Sequence, residues 1–380
     1  MHRKIYWIEG DGIGPEIWRA ARPVIDAALA AETADVTLDW QELLAGEKAV
    51  KETGSPLPEG TFDALRTADL AMKGPLGTPV GTGMRSLNVA LRQGLDLYAC
   101  IRPVRHFEGL ETPVKHPERV NMVIFRENTE DVYAGVEFAA LTPEARKLAA
   151  FLREELGVTK VGDAAAIGIK PMTEAGSKRL VRRALRFALD NGLPSLTLVH
   201  KVNIMKFTEG AFRQWGYDVA AQEFGDRICT EKEPAPGRLV VKDRIADAMF
   251  QEALLRPEQY SVLATPNLNG DYISDALAAQ VGGLGLAPGV NMSDTLAFYE
   301  ATHGTAPTIA GQDRANPGSV ILCGALMLEH IGQSGAAERI RRAVSRAIAG
   351  RAVTADLAPN VTGSRVVGCR EFGEIIGANL

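Results

Sequence analysis

The sequence predicts an α/β protein built on a largely parallel β-sheet, and its first 80 residues carry most of this prediction. Short β-rich runs such as KIYWI and VTLDW alternate there with amphipathic helical segments such as IWRAARPVIDAALAA. Strands that alternate with helices are typical of parallel sheets, because a parallel connection must cross the sheet. The chain has 380 residues and can therefore bury one large core or two smaller cores.

The first turn of the chain, EGDGIGPEI, has the appearance of a dinucleotide-binding loop. That fingerprint requires G-x-G-x-x-G and an acidic residue roughly 20 positions later. Here the third glycine, Gly14, comes one position early and is followed by Pro15, although Asp39 lies at a suitable distance. We therefore favour a tight strand-to-helix turn whose glycines allow close packing.

The later chain continues the alternation less regularly. VNMVIFREN, AAIGIKP and SLTLVHK predict strands, and TPEARKLAAFLREELG, SKRLVRRALRFALDNG and TEGAFRQWGYDVAAQEF predict helices. The charged, proline-rich segment from Thr230 to Arg238 predicts an exposed loop. No shift in composition marks a linker, so interleaved and sequential domains both remain open.

Composition and charge exclude several classes of protein. The chain is 46% hydrophobic and 23% charged, which argues against a disordered or fibrous protein. With a net charge of −5 and no basic block, we expect no nucleic-acid binding. The longest apolar run, Ser319 to Leu328, predicts a buried helix rather than a membrane span. Four scattered cysteines predict reduced thiols in a cytoplasmic protein.

Acidic pairs supply the first candidate site. We predict a turn at Asn269-Gly270 and then a helix that carries Asp271 and Asp275 on one face. Such a like-charge pair is unfavourable unless a cation binds, and carboxylates suit Mg²⁺ or Mn²⁺. The alternative is ordinary acidic charge at a helix N-terminus. A second pair, Asp243 and Asp247, would strengthen the metal hypothesis if the two segments met.

Three arginines and two proton-transfer candidates complete the set. Arg92, Arg102 and Arg126 lie within 35 residues of one another in a chain without basic bias. Arginine binds carboxylates through a bidentate fork, so they could form a polycarboxylate clamp, with surface ion pairs as the alternative. Tyr133 and Lys201 are candidates for proton transfer. The alternative is that Tyr133 is an ordinary packed side chain and Lys201 an ordinary solvated one.

These motifs resemble the metal-dependent β-decarboxylating dehydrogenases, that is, the isocitrate/isopropylmalate dehydrogenase family and its bacterial homodimeric, isocitrate-oxidising members. The matching stretches run nearly the whole chain: EGDGIGPEI, KGPLGTPVGTGMRSLNVALRQGLDLYACIRPVR, FRENTEDVYAG, LVHKVNIMKFTEGAF, NLNGDYISDALAAQVGG, EATHGTAPTIAGQDRANPGS and EFGEII. The resemblance implies a fold that is not the Rossmann fold. It implies a large α/β domain of residues 1–97 and 282–380, a small α/β domain of residues 98–130 and 174–281, and an intersubunit clasp of residues 131–173.

The resemblance also implies an activity: oxidative decarboxylation of isocitrate to 2-oxoglutarate and CO₂, a step of the tricarboxylic acid cycle. The implied substrate-binding residues are Ser86, Asn88, Arg92, Arg102 and Arg126. Asp271 and Asp275, with Asp247 from the partner subunit of a homodimer, would hold Mg²⁺ or Mn²⁺. Lys201, also from the partner subunit, would remove the hydroxyl proton, and Tyr133 would return a proton to C3.

The same resemblance places the cofactor against the loop from His303 to Pro317. The implied contacts are Thr78, Asn203, His303, Gly304, Thr305, Ala306, Thr308, Ile309, Asn316 and Asp356. NADP-linked bacterial relatives commonly carry lysine, tyrosine and arginine side chains for the 2′-phosphate, where this chain has Thr308, Ile309, Ala355 and Pro359. We therefore expect NAD to be favoured, with NADP as the alternative cofactor.

Two positions raise further questions. Val202 replaces a glycine that is usual in this branch, which affects the turn beside Lys201. In some bacterial relatives the serine equivalent to Ser86 is phosphorylated, so a kinase acting on Ser86 is a further hypothesis. The alternatives are a sister enzyme for isopropylmalate, homoisocitrate or tartrate, disfavoured by polar Ser86 and Asn88, and a non-catalytic regulatory subunit, disfavoured because the catalytic residues are retained.

Overall fold

The computed structural model describes residues 2–77 and 86–380, which form fifteen strands and twelve α-helices. The strands are β1 (His2–Ile8), β2 (Thr37–Glu42), β3 (Leu70–Lys73), β4 (Ala99–Arg105), β5 (Asn121–Glu127), β6 (Glu137–Phe138), β7 (Ile167–Gly168), β8 (Ser195–His200), β9 (Ile228–Thr230), β10 (Leu239–Ile245), β11 (Val262–Thr265), β12 (Pro288–Met292), β13 (Ala297–Ala301), β14 (Ala352–Val353) and β15 (Arg365–Val366). The helices are α1 (Gly14–Glu32), α2 (Gly46–Thr53), α3 (Glu59–Arg66), α4 (Leu87–Gly94), α5 (Pro143–Glu154), α6 (Glu174–Asp190), α7 (Glu209–Phe224), α8 (Ala246–Leu255), α9 (Asn267–Val281), α10 (Gly318–His330), α11 (Ser334–Ala349) and α12 (Cys369–Ala378).

One mixed sheet of eleven strands runs through the molecule in the order β2-β1-β3-β13-β12-β4-β5-β11-β8-β10-β9. The alternation in the first 80 residues correctly predicts the parallel pairing of β1 with β2 and β3. The centre differs, because β12 is antiparallel to both β13 and β4, and β4 is antiparallel to β5. The sheet therefore has two parallel ends that point in opposite directions, an arrangement unlike the Rossmann order.

Each end of the sheet has its own helices. At one end, α1, α10, α11 and α12 pack together around buried residues such as Ile17 and Ile321, and the predicted buried helix over Ser319 to Leu328 is part of α10. At the other end, α6 and α7 cover one face while α8 and α9 cover the opposite face. The central strands β4, β5, β12 and β13 lie between these packed ends, where polar side chains can face one another.

The opening turn is a strand-to-helix connection shaped by a distant loop. Gly12 has φ +58°, and a Cβ at this position would lie 2.1 Å from the carbonyl oxygen of Thr305. The same oxygen accepts a hydrogen bond from the Ile13 N–H at 3.0 Å. Asp39 is exposed on β2. The glycines thus admit the approach of a second loop to the start of α1, as the packing interpretation of this motif expects.

The expectations for the cysteines and for the proline-rich segment hold. The four cysteines are buried and unpaired. The segment from Thr230 to Arg238 connects the edge strand β9 to its neighbour β10 and is largely exposed. Among the residues that the structure describes, no helix is both long and apolar enough to cross a membrane.

Candidate active site

The helix that carries the acidic pair begins earlier than the sequence predicts. α9 starts at Asn267, so Asn269 and Gly270 lie in its first turn and the predicted turn there is wrong. The glycine has a packing role instead: a Cβ on Gly270 would lie 2.3 Å from Thr265 Oγ1 and 2.7 Å from the Arg126 side chain. Because glycine has no Cβ, α9 can lie directly against Arg126 of β5.

Asp271 and Asp275 lie on one face of α9, as their spacing predicts, and both meet cationic groups. Arg102 Nη1 lies 3.1 Å from Asp275 Oδ1 and 3.8 Å from Asp271 Oδ1. Asp271 also accepts hydrogen bonds from Arg126 and from the Tyr133 hydroxyl. Burial would raise the pKa of Asp271, but Arg126 lowers it below its usual value, whereas burial raises the pKa of Asp275.

The three predicted arginines converge beside this pair with unused hydrogen-bond donors. Arg126 is only 1% exposed, and Arg92 donates to Glu300 at 2.8 Å. Arg92 Nε, Arg102 Nε and Arg126 Nη2 are buried and have no hydrogen-bond partner among the described residues, and neither has Asn88 Oδ1. Buried polar groups are normally paired, so these atoms indicate a place for a polar, anionic ligand.

Ser86 and Asn88, two further predicted residues, lie at the start of α4, the helix that also carries Arg92. Ser86 lies immediately before the helix and is half-buried, and Asn88 lies in its first turn, where it donates to the Leu76 carbonyl at 3.4 Å. Arg92 follows one turn later on the same helix. Asn88 and Arg92 are four residues apart, so α4 presents an amide and a guanidinium group on one side, and the Ser86 hydroxyl precedes its first turn.

Tyr133 is placed to donate a proton. It lies in a 3-10 turn over Asp131–Ala134, with the Arg126 guanidinium 4.8 Å from its ring centroid. Burial and the hydrogen bond to Asp271 raise the pKa of Tyr133 to about 12. The phenol therefore keeps its proton at neutral pH.

Lys201 and Asp247 lie apart from this cluster and form an ion pair with each other. Asp247 is 69% exposed on α8. In the second acidic pair, Asp243 belongs to β10 and its carboxylate accepts hydrogen bonds from Tyr217 at 2.6 Å and His200 at 3.0 Å, whereas Asp247 pairs with Lys201. Within residues 2–77 and 86–380, no three His, Cys, Asp or Glu side chains are grouped to hold a metal ion.

A cavity of about 580 Å³ lies beside the loop predicted to hold the cofactor. Six of the predicted contacts line it: His303, Gly304, Ala306, Ile309, Asn316 and Asp356. Asn316 donates to Asp356 at 2.9 Å, and His303 Nε2 is buried with no partner among the described residues. Thr305 instead anchors the first turn of α1, Thr308 and Asn203 do not line the cavity, and Thr78 lies outside the described residues.

Known proteins resemble this chain over almost its whole length. The sequence model of the isocitrate/isopropylmalate dehydrogenase family matches residues 4–376. Isocitrate dehydrogenase (NADP) of Pseudomonas aeruginosa is 54% identical, covering 99% of this chain and 93% of that protein. The Staphylococcus aureus protein of the same name is 50% identical, covering 99% and 95%. The solved structure of isocitrate dehydrogenase from Methylococcus capsulatus is 41% identical, with a TM-score of 0.81 and 99% of both chains covered, which confirms the predicted fold class.

The relatives correct the expected cofactor preference. NAD was expected because Thr308, Ile309, Ala355 and Pro359 replace phosphate-binding side chains, but the relatives that are 50–54% identical are named for NADP. The expectation is wrong, since it considered only those four positions. Arg314 lines the same cavity, is exposed, and has no ion pair or side-chain hydrogen bond within the described residues. The cavity therefore contains a cation that the four positions did not reveal.

Glu300, which the sequence analysis missed, holds the arginine cluster in place. It lies on β13 and pairs with Lys73 at 2.5 Å and with Arg92 at 2.8 Å, all three largely buried. Burial alone would raise the pKa of Glu300, but the two cations hold it far below its ordinary value. No local motif marks this residue, since Arg92 and Glu300 are 208 positions apart.

Replacing this carboxylate is expected to destabilise the fold. Glu300→Gln leaves two buried cations without a counter-charge and should lower the free energy of unfolding by about 3 kcal/mol. Glu223→Gln, which breaks a half-exposed pair with Arg182, is the matched control and should cost no more than about 1 kcal/mol. Because the pKa of Glu300 is depressed, its stabilisation is complete above its unfolded value of 4.5 and is lost as the pH falls further. Urea unfolding at several pH values measures this, and equal losses in the two variants would contradict it.

Proposed function

This chain belongs to the isocitrate/isopropylmalate dehydrogenase family, and we propose that it is an NADP-dependent isocitrate dehydrogenase that converts isocitrate to 2-oxoglutarate and CO₂. One observation of the structure supports this most directly. Arg102 and Arg126 are buried and Arg92 is largely buried beside an acidic pair and a protonated tyrosine, and each arginine has a buried nitrogen without a hydrogen-bond partner among the described residues. Relatives at 50–54% identity over nearly the full chain bear the same enzyme name.

The arginines fit a tricarboxylate. Arg92, Arg102 and Arg126 offer three guanidinium groups to three carboxylates, and within residues 2–77 and 86–380 each has one nitrogen without a hydrogen-bond partner. Ser86 and Asn88 place polar groups on α4 beside them. An isopropyl group in that position would leave the buried Asn88 Oδ1 unpaired, which disfavours the sister substrate.

The acidic pair fits a hard divalent cation. Asp271 and Asp275 offer carboxylate oxygens on one helix face, and we assign the third carboxylate to Asp247 from the partner subunit. When bound there, Mg²⁺ or Mn²⁺ would supply Lewis-acid stabilisation for negative charge on the substrate during loss of CO₂. The surrounding arginines orient the substrate carboxylates toward this site.

Two side chains move protons in the proposed reaction. Lys201 from the partner subunit accepts the proton of the C2 hydroxyl as the substrate is oxidised. Tyr133, whose pKa is about 12, holds its proton at neutral pH and donates it to C3 after decarboxylation. Asp271 accepts a hydrogen bond from that hydroxyl and therefore fixes its orientation.

A homodimer with shared sites explains the position of Lys201 and Asp247. These two residues pair with each other and not with Asp271 or Tyr133 of the same chain. Apolar side chains near them are exposed: Phe207 by 93%, Ile204 by 70% and Leu255 by 62%. Exposed apolar groups beside a functional pair are typical of a subunit interface. In this proposal residues 131–173, including the β6–β7 ribbon, form the clasp between subunits, and the domain boundaries are those given from the sequence.

NADP binds in the cavity beside the loop from His303 to Pro317 in this proposal. Arg314 supplies positive charge for the 2′-phosphate, and His303 Nε2 and Asn316 offer polar contacts in the same cavity. Arginine suits phosphate because its fork can donate two parallel hydrogen bonds.

Removing Arg314 is expected to change cofactor selectivity. Arg314→Ala should reduce kcat/KM for NADP by about 10²-fold, by loss of a charge-assisted phosphate contact, and leave kcat/KM for NAD nearly unchanged. Arg370→Ala, at an 82% exposed arginine outside the cavity, is the control. The assay uses the purified chain alone with isocitrate and Mg²⁺, so activity also excludes a non-catalytic subunit. Equal effects of Arg314→Ala on both cofactors would contradict the assignment.

Subunit complementation tests the shared site. Tyr133→Phe and Lys201→Met should each be nearly inactive alone. Co-expressed, they should regain about a quarter of wild-type activity, because half of randomly formed dimers are mixed and each mixed dimer has one intact site. Activity is measured on the mixed preparation.

The control pair for that experiment is Lys201→Met with Asp247→Asn. Both residues come from the same subunit in this proposal, so every site in the mixed dimer carries one defect and no activity should return. Recovery in the control pair, or none in the Tyr133→Phe mixture, would show that the sites are not shared as proposed.

Ser86 is the proposed position for regulation by a kinase. A phosphate there would place negative charge immediately before α4, the helix that carries the substrate-binding candidates Asn88 and Arg92. Ser86→Asp should reduce kcat/KM for isocitrate by about 10²-fold through repulsion of the substrate carboxylates, whereas Ser86→Ala should have a much smaller effect. Mass spectrometry of the protein from its own cells tests the modification itself, and an unmodified serine under all growth conditions would contradict it.

A further inference from the structure

Three active-site segments that are far apart in sequence meet at one buried ion-pair network. We propose that Asp131, Lys170 and Glu209 form a positioning bridge, which holds the turn carrying Tyr133, the turn carrying Lys201 and the start of α9 in one fixed arrangement. The proposal rests on the proposed function for its catalytic consequence. Its structural content, the coupling of the three segments, stands on the contacts alone.

Glu209 forms one end of the bridge. It is the first residue of α7 and is 0% exposed. Its Oε2 accepts a hydrogen bond from the backbone N–H of Lys201 at 2.6 Å and another from Asn269 Nδ2 at 2.9 Å. A single carboxylate oxygen therefore joins the Lys201 turn to the first turn of the helix that carries the acidic pair.

Asp131 forms the other end. It is 1% exposed and has φ +67°, a backbone conformation that is unusual for any residue but glycine. Oδ1 accepts from the Val132 N–H at 2.7 Å, and Oδ2 accepts from the Leu268 N–H at 3.1 Å. Asp131 thus joins the turn that carries Tyr133 to α9. Residues with strained backbone conformations cluster at active sites and ligand-binding sites.

Lys170 connects the two carboxylates. Its Nζ lies 2.5 Å from Asp131 Oδ1 and 3.0 Å from Glu209 Oε1, and it is largely buried. The residue follows β7 and so belongs to the end of the proposed clasp. One ammonium group balances two buried carboxylates, and its loss would leave both charges without a counter-ion.

None of these three side chains is assigned a reacting atom, so they are positioning residues. The bridge reaches Lys201 and α9 through main-chain N–H groups, which fix the backbone while the reactive side chains extend away. A displacement of about 1 Å in a catalytic group can cost roughly 10²-fold in rate. The bridge therefore fixes Tyr133 and the acidic pair, which act in the chain's own site, relative to the Lys201 turn, which the chain contributes to its partner's site.

Amide hydrogen exchange in the full-length protein tests the coupling independently of activity. Lys170→Met and Glu209→Gln should both accelerate exchange in three segments together: residues 129–135, 201–207 and 267–271. Glu223→Gln is the matched control, because Glu223 lies on the same helix as Glu209 but pairs with Arg182 instead. It should change exchange only near its own ion pair.

Steady-state kinetics test the catalytic consequence. Both bridge variants should lower kcat by about 10²-fold, with KM for isocitrate within a few-fold of wild type, because the arginines that bind the substrate are not part of the bridge. Thermal melting confirms that the variants are folded. If Lys170→Met does not fold, the isosteric Glu209→Gln carries the test.

Two results would overturn the bridge: faster exchange confined to the substituted segment, or a kcat within twofold of wild type. Failure of the proposed function is distinguishable from both. A wild-type protein without isocitrate turnover, but with coupled exchange in the three segments, would leave the bridge standing and refute the enzyme assignment.

Discussion

The contact between Arg126 and Asp271 is the interaction on which the rest of the site depends. It joins the central strand β5 to the start of α9, and Gly270 allows the two to approach closely. A guanidinium that is 1% exposed needs a counter-charge, because an unpaired buried charge is strongly destabilising. Asp271 supplies that charge and also receives the Tyr133 hydroxyl. The position of the acidic pair, the orientation of the phenol and the packing of α9 are therefore set by one ion pair.

The features of this arrangement that depend on nearby residues could be predicted from the sequence. The i, i+4 spacing of Asp271 and Asp275 fixes their common helix face, and the strand–helix alternation fixes the parallel pairing of β1, β2 and β3. The antiparallel centre of the sheet could not be predicted in this way, because β12 and β13 enter between strands from the first third of the chain. The start of α9 was placed too late, since Asn-Gly is a strong turn signal that packing against Arg126 overrides.

The roles of Glu300 and Arg314 depend on contacts between distant segments, which local sequence patterns do not reveal. Glu300 matters because β13 places it against Lys73 and Arg92, and no short-range pattern marks that contact. From the sequence, Arg314 was a phosphate-binding candidate only for the case that NADP is preferred, because the preference itself was judged at four positions where relatives carry phosphate ligands. A phosphate is recognised by any well-placed cation and not by a particular position. In this cavity Arg314 can supply the positive charge that a phosphate needs, although it is not one of those four positions.

Sharing sites between subunits places a particular demand on the fold. In the proposed dimer each chain must present Lys201 and Asp247 at its surface, and the ion pair between them balances both charges there. The backbone of Lys201 must nevertheless be fixed, and Glu209 holds it from the buried side. Lys170, at the end of the proposed clasp, links Glu209 to Asp131. The Lys201 turn that a subunit contributes to its partner's site is therefore connected to the Tyr133 turn of its own site. A movement of the clasp would therefore displace both halves of the catalytic machinery together.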